Sequence, residues 1–197
     1  MNETLPPMRT EPMTAEAFLA WAEAREGRLE LIAGRVVEDM APELVRHARL
    51  KYRLCVAFDR ALVGTDLPCE ALIDGPVVKI DDRTVLQPDV IVHCGSPIPG
   101  DTMIVPCPVI VAEVLSASSA QRDLTVKLAL YARHPAVRHY LVVDPLETLV
   151  LHHRRAEGEA FETRVVSEGS LTLDPPGLVL DLAILFPADP EAGTAAG

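Results

Sequence analysis

The sequence predicts an α/β fold with a central sheet covered on both faces, and three observations predict it. Residues 108–116 (PVIVAEVLS) place Val109, Val111, Glu113 and Leu115 on one side of a strand and Ile110, Ala112 and Val114 on the other, so both faces are apolar except at Glu113. Residues 86–92 (LQPDVIV) form a second apolar run that also contains one carboxylate, Asp89. Residues 120–133 then carry Leu124, Lys127, Leu128 and Tyr131 at i, i+3, i+4 and i+7, a single helical stripe with a lysine inside it. Each charge falls where the pattern predicts burial, and a buried charge is costly unless it is paired or holds a metal. Asp89, Glu113 and Lys127 are therefore expected to form one site.

In chain order, residues 1–12 read as a flexible leader, residues 13–186 as one domain and residues 187–197 as a flexible tail of small residues. Thr14 is placed to cap a helix running to about Glu26, with Ala15, Phe18, Leu19 and Ala22 on its apolar side, Trp21 packing on its flank and Gly27 ending it. Residues 28–40 read as a hairpin turning at Ala33-Gly34. Glu30 alternates with Leu29 and Leu31, a pattern that leaves a solvent-facing position on an antiparallel strand and a site position equally open.

A long helix is expected over residues 43–62, with Leu50, Leu54, Ala57, Phe58 and Ala61 as its apolar stripe. Arg46, Arg49, Arg53 and Arg60 lie on or near another face, which reads as solvated first and as a phosphate-binding track second. His47 faces either way, and a lone helical histidine is usually structural. One or two strands follow over residues 70–81, then a turn at residues 81–83 leading into the Asp89 run. Residues 93–108 are a loop rich in Gly and Pro with no metal-ligand spacing. Residues 116–119 (SASS) are a polar break before the lysine-bearing helix. Residues 139–144 form another strand, residues 148–154 and 161–167 a β-pair, and residues 177–186 a strand followed by a short helix. His152 and His153 are adjacent and face opposite sides of their strand, which makes them structural rather than joint metal ligands.

The chain has 197 residues, of which 49% are hydrophobic, enough for one real core. No apolar run reaches membrane-spanning length, and the first residues carry no apolar signal core, so the expectation is a soluble, cytoplasmic protein. Cys55, Cys69, Cys94 and Cys107 lack CxxC spacing, and four free, mostly buried thiols are expected. The net charge of −11 argues against a basic nucleic-acid coat but leaves room for a local basic groove or a metal that offsets the site.

Two carboxylates at neighbouring strand ends suit Mg²⁺, which takes oxygen ligands and keeps several waters. A metal so held lowers the pKa of bound water and stabilises charge on a phosphoryl group. A neighbouring lysine orients that water or neutralises developing charge. The combination points to phosphodiester hydrolysis.

Pro88-Asp89 followed by Glu113 on an apolar strand resembles the PD-(D/E)XK nuclease superfamily, although Leu115 stands where the superfamily lysine is usual. The chain resembles more closely the Uma-two family of restriction-endonuclease-like proteins, over roughly residues 14–186. The resemblance is carried by residues 29–34 (LELIAG), His47, Pro88-Asp89-Val90, residues 113–116 (EVLS), Asp123 with Lys127 and Tyr131, and residues 140–145 (YLVVDP). It departs at Ala33, where Asp or Asn is frequent, at Ala117, where Pro is usual, and at Leu141, where Trp is common.

The resemblance implies a restriction-endonuclease-like mixed central β-sheet flanked by helices, with an added N-terminal helix and β-hairpin. It implies Asp89 and Glu113 as metal ligands, Glu30 as a further acidic residue near the metal, and Lys127 as the catalytic lysine, moved from the strand to the helix. His47 would contact phosphate or support the ligands; Arg46 and Arg49 are further substrate-contact candidates from the basic face of their helix rather than from the resemblance. The implied activity is Mg²⁺-dependent cleavage of DNA, with Mn²⁺ as a substitute metal, by a homodimer whose two sites cut both strands. The alternatives are a non-catalytic scaffold or interaction module that keeps the fold, and hydrolysis of another phosphorylated substrate at the same metal site.

Overall fold

In the computed structural model, residues 11–25, 27–39, 43–116, 122–157 and 160–187 are described. Expectations for residues 1–10, Glu26, Met40, residues 117–119 of the polar break, residues 120–121 of the following helix and the 188–197 tail lie outside them. The chain runs α1 (Ala15–Ala22), β1 (Arg28–Ile32), β2 (Arg35–Asp39), α2 (Val45–Leu62), β3 (Cys69–Ile73), β4 (Val78–Asp81), β5 (Thr84–Leu86), β6 (Val90–Cys94) and β7 (Pro108–Val114). A π-helical turn (Arg122–Lys127) runs directly into α3 (Leu128–Arg133), followed by β8 (His139–Asp144), β9 (Leu149–Arg155), β10 (Phe161–Val166), β11 (Ser170–Leu173), β12 (Leu178–Asp181) and α4 (Leu182–Leu185).

Six strands form the central sheet in the order β10-β9-β8-β7-β6-β3. β7 and β8 pair in parallel and every other neighbour is antiparallel, so the sheet is mixed. β7 lies inside it with all seven residues buried, as its two apolar faces predict. One face of the sheet packs against α2, α4 and the β11–β12 hairpin through Leu54, Phe58, Ile110, Ala112, Leu141, Leu173 and Leu185. The other packs Ile91, Val111, Tyr140 and Val142 against Tyr131 of α3 and against Val78 and Leu86 of a second, four-stranded sheet, ordered β2-β1-β5-β4. Glu113 shares the register of Val111, and Asp89 that of Ile91, so both carboxylates belong to this second face.

The N-terminal helix and hairpin have local causes. Thr14 Oγ1 accepts from Ala17 N, and Ala15 and Phe18 bury against Leu29, Leu31 and Val85 of the small sheet. The β1–β2 turn puts Ala33 at φ 51° and Gly34 at φ 81°, the left-handed pair that a two-residue hairpin needs. A Cβ on Gly34 would lie 2.8 Å from Arg83 Nη2 and 3.2 Å from Met13 O, so this turn packs on its own supports.

Three expectations are corrected. First, α1 closes at Ala22, where Arg25 N bonds Ala22 O and the Arg25 guanidinium stacks 3.8 Å over the Trp21 ring. Second, the lysine-bearing helix begins as a π-helix; its wider turn advances less per residue, so Leu124 leaves the stripe and is 37% exposed while Lys127 and Tyr131 stay buried. Third, Cys69 and Cys94 face each other across β3 and β6 and form a disulfide, leaving Cys55 and Cys107 as free thiols. Glu30, left open by its pattern, is only 3% exposed, because the central sheet covers its side of β1. The sequence reading also passed over β11, which pairs with β12 to roof α2.

Candidate active site

β1, β6, β7, α2 and the π-helical turn converge at one end of the second face. Asp89 immediately precedes β6, held there as its N–H bonds Ala112 O and its carbonyl accepts from Asp74 N. Its Oδ2 accepts from Val114 N at 2.6 Å, which ties the carboxylate to the strand that carries Glu113. Asp89, Glu113 and Lys127 are each 1% exposed. Lys127 Nζ donates to Glu113 Oε1 at 2.7 Å and lies 2.9 Å from Glu30 Oε1. Tyr131, one α-helical turn on, donates its hydroxyl to the same Glu113 oxygen at 3.1 Å. The lysine reaches the strand face because the π-helical turn ends on it.

Arg28 is the residue that the sequence reading missed. Its guanidinium spans the two carboxylates: Nη1 donates to Asp89 Oδ1, and Nη2 donates to Glu113 Oε2 at 2.6 Å and to Gln87 O at 2.7 Å. The signal was present, since Arg28 and Glu30 are two apart on one strand and must share a face. Gln87 completes this corner: its N–H bonds Glu30 Oε1 at 3.1 Å and its side-chain Oε1 accepts from Leu29 N.

α2 contributes a second layer. His47 is buried, with Nε2 2.7 Å from Val114 O and 3.6 Å from Asp89 Oδ2, and with Nδ1 against Glu43. Lys51, one turn on, pairs with Glu43 and donates to Asp74 Oδ1 at 2.8 Å. The helix stripe thus starts polar at the site and turns apolar at Leu54, which makes Lys51 legible as i+4 from His47. Arg46 and Arg49 are on the exposed side of the same helix. His152 and His153 are remote partners of His139 and Thr163, not of the carboxylates.

Burial is the largest influence on Glu113 and pushes it toward neutrality, but Lys127 and then Arg28 outweigh it and hold the carboxyl below its usual range. Burial dominates Asp89 and raises it, with Glu113 adding to the rise and Arg28 opposing it. Burial also works against charge on Arg28, and Glu113, Asp89 and Glu30 reverse it, so the guanidinium stays charged. Glu43 is lowered against its own desolvation by Lys51 and His47.

Among the described residues, no three His, Cys, Asp or Glu side chains form a closed metal cage. The donor set nonetheless fits a hard divalent cation. Asp89 Oδ1 and Glu113 Oε2 converge on one position already matched to a positive group, and Mg²⁺ is commonly held by one or two carboxylates with waters completing its shell.

Residues 15–185 match the Uma2 family, described as "Putative restriction endonuclease". The chain belongs to the Uma2 family. Two relatives from Synechocystis carry no described activity: the uncharacterized protein slr1290 is 26% identical over 176 residues (88% of this chain, 91% of the relative), and the uncharacterized protein sll1609 is 28% identical over 149 residues (74% and 82%). A crystal structure from Anabaena variabilis, titled a "putative nuclease belonging to DUF820", superposes with a TM-score of 0.70 at 20% identity, covering 89% of this chain and 98% of that one. At that identity the match shows the fold alone: a mixed central sheet flanked by helices. No helix among the described residues is long and apolar enough to cross a membrane.

Proposed function

We propose that this Uma2 protein is a divalent-metal-dependent nuclease that hydrolyses DNA phosphodiester bonds. The observation that carries the reading is the convergence of Asp89 and Glu113 on one cation position, with Lys127 bonded to the free side of Glu113. Asp89 and Glu113 would hold Mg²⁺, or Mn²⁺ in its place, with Glu30 supporting from the lysine side. When bound, the metal would polarise a phosphate oxygen and acidify its bound water.

The chain's own residues define the rest. Val114 N–H fixes the rotamer of Asp89, and Tyr131 with Lys127 fixes that of Glu113, so both ligands are set before substrate arrives. Lys127 sits where it orients the attacking water or offsets negative charge at the phosphate. His47 braces the Val114 carbonyl beside Asp89 and so supports the ligands from α2. Arg46 and Arg49, on the open side of α2, suit the flanking backbone phosphates. A two-fold dimer would bring two such sites to the two strands of a duplex.

The test is cleavage of supercoiled, linear and branched DNA with Mg²⁺ or Mn²⁺, beside Asp89→Ala and Lys127→Met. Metal-dependent cleavage by the wild type, lost in both folded variants, supports the reading. Equal cleavage by Asp89→Ala sinks it.

A second reading is a non-catalytic scaffold. Its support is that Arg28, Lys127, Tyr131 and Val114 N–H already engage all four oxygens of Asp89 and Glu113, so the cluster is satisfied as a structural ion network. Wild type inert toward every DNA form and metal, with no metal-linked stabilisation, would favour it.

A further inference from the structure

Of the described groups bonded to the two carboxylates, Arg28 is the most exposed: its side chain is 27% exposed, against 1% for both partners. It contacts Asp89 Oδ1 and Glu113 Oε2, whereas the other two oxygens are held by the buried Val114 N–H and by Lys127 with Tyr131. We propose that Arg28 is a displaceable counter-ion: it keeps the two carboxylates together when no divalent ion is bound, and gives up its place between them when one enters. This rests on the metal-site reading above and adds a residue to it.

The charge distribution supports an exchange over simple coexistence. Three buried carboxylates, Glu30, Asp89 and Glu113, face two cations, Arg28 and Lys127. A divalent ion added beside an unmoved Arg28 would crowd two positive centres against the same two oxygens. Moving the guanidinium outward relieves that and leaves the metal, Lys127 and three carboxylates balanced. Arg28 lies at the first residue of β1, and its outward path is the part of the side chain already in solvent. A guanidinium released at the mouth of the site has the planar, forked donor set that binds a phosphate group by two hydrogen bonds. Two carboxylates left without metal and without Arg28 would repel in a buried setting, which explains why a movable cation is needed there at all.

The test compares wild type, Arg28→Met and Arg28→Lys, with Asp89→Ala as a reference for loss of the site. Mn²⁺ affinity is measured by calorimetric titration and melting temperature in EDTA and in Mn²⁺. Competition predicts that Arg28→Met melts below wild type in EDTA, gains more from Mn²⁺, and binds Mn²⁺ about tenfold more tightly, on the scale at which groups around a metal site tune its affinity. Arg28→Lys, which keeps a charge but cannot span both carboxylates, should fall between them, and it decides the question if Arg28→Met does not fold in EDTA. Mn²⁺ binding by wild type that is unchanged or weaker in the Arg28 variants overturns the exchange and leaves the metal site standing. No Mn²⁺ binding by wild type or by the Arg28 variants overturns the metal-site reading and the exchange with it.

Discussion

Lys127 Nζ lies 2.7 Å from Glu113 Oε1, both groups fully buried, although one belongs to a central strand and the other to the helix that follows it. Neither charge is stable alone at that depth. Lys127→Met should therefore destabilise the fold by about 3–5 kcal/mol, the usual cost of removing one partner of a buried pair, in addition to any loss of cleavage. Urea unfolding at neutral pH measures it. A change within the range of surface substitutions would mean that Glu113 is neutralised by another route.

The fold and the centre of this site were legible because burying charge is expensive. Glu113 inside an apolar strand and Lys127 inside a helical stripe each stand out against a strong pattern, and the structure brings them together with Asp89. Arg28 was not legible in the same way, and Glu30 only through the family resemblance. On a strand that alternates polar and apolar residues, the polar side reads as solvent unless something is known to cover it, and what covers β1 is a sheet formed by residues far along the chain. The π-helical turn was hidden for a different reason: hydrogen-bond period is a tertiary outcome there, and the sequence stripe fits an α-helix until Leu124 is seen to point away. The Cys69–Cys94 pairing depends on strand register, which spacing alone does not fix.

Ala33 holds φ 51° at an exposed turn position. An L-residue with an ordinary Cβ is strained there, whereas Asn and Asp tolerate the left-handed region and Asn-Gly is the preferred two-residue hairpin turn. Ala33→Asn should stabilise the protein by roughly 0.5–1 kcal/mol without touching the site. Matched thermal melts would show it, and a lower melting temperature would contradict the assigned turn.

The disulfide between Cys69 and Cys94 ties β3, the edge strand of the central sheet, to β6, whose first residue follows Asp89. In protein kept oxidised, peptide mapping should recover a Cys69–Cys94 cross-link, while alkylation without reductant modifies only Cys55 and Cys107 once the chain is unfolded. Cys94→Ser should then lose about 2–4 kcal/mol, a difference that closes when the wild type is reduced. Labelling of all four cysteines without reductant would show that the pair is not formed.

His139 and His152 form a buried pair on β8 and β9, with His139 Nδ1 2.8 Å from His152 Nε2 and His139 Nε2 2.9 Å from the carbonyl of Pro175. The carbonyl can only accept, so His139 donates from Nε2 and accepts at Nδ1 from His152, an arrangement made by two neutral rings. Burial pushes His139 down to about 4 against the pull of Pro175, and burial together with His139 does the same to His152. In the unfolded chain both titrate near the ordinary value of 6.5. Between these limits the unfolded state binds more protons than the folded one, so stability rises with pH. The contribution is fully present above about pH 6.5 and is lost as pH falls toward about 4, at most about 3 kcal/mol for each histidine. Urea midpoints measured from pH 7.5 down to 4.5 should fall steadily, and His152→Gln, which removes one titrating ring but keeps a polar donor, should flatten the slope. An unchanged slope in that variant would place the acid sensitivity in other groups.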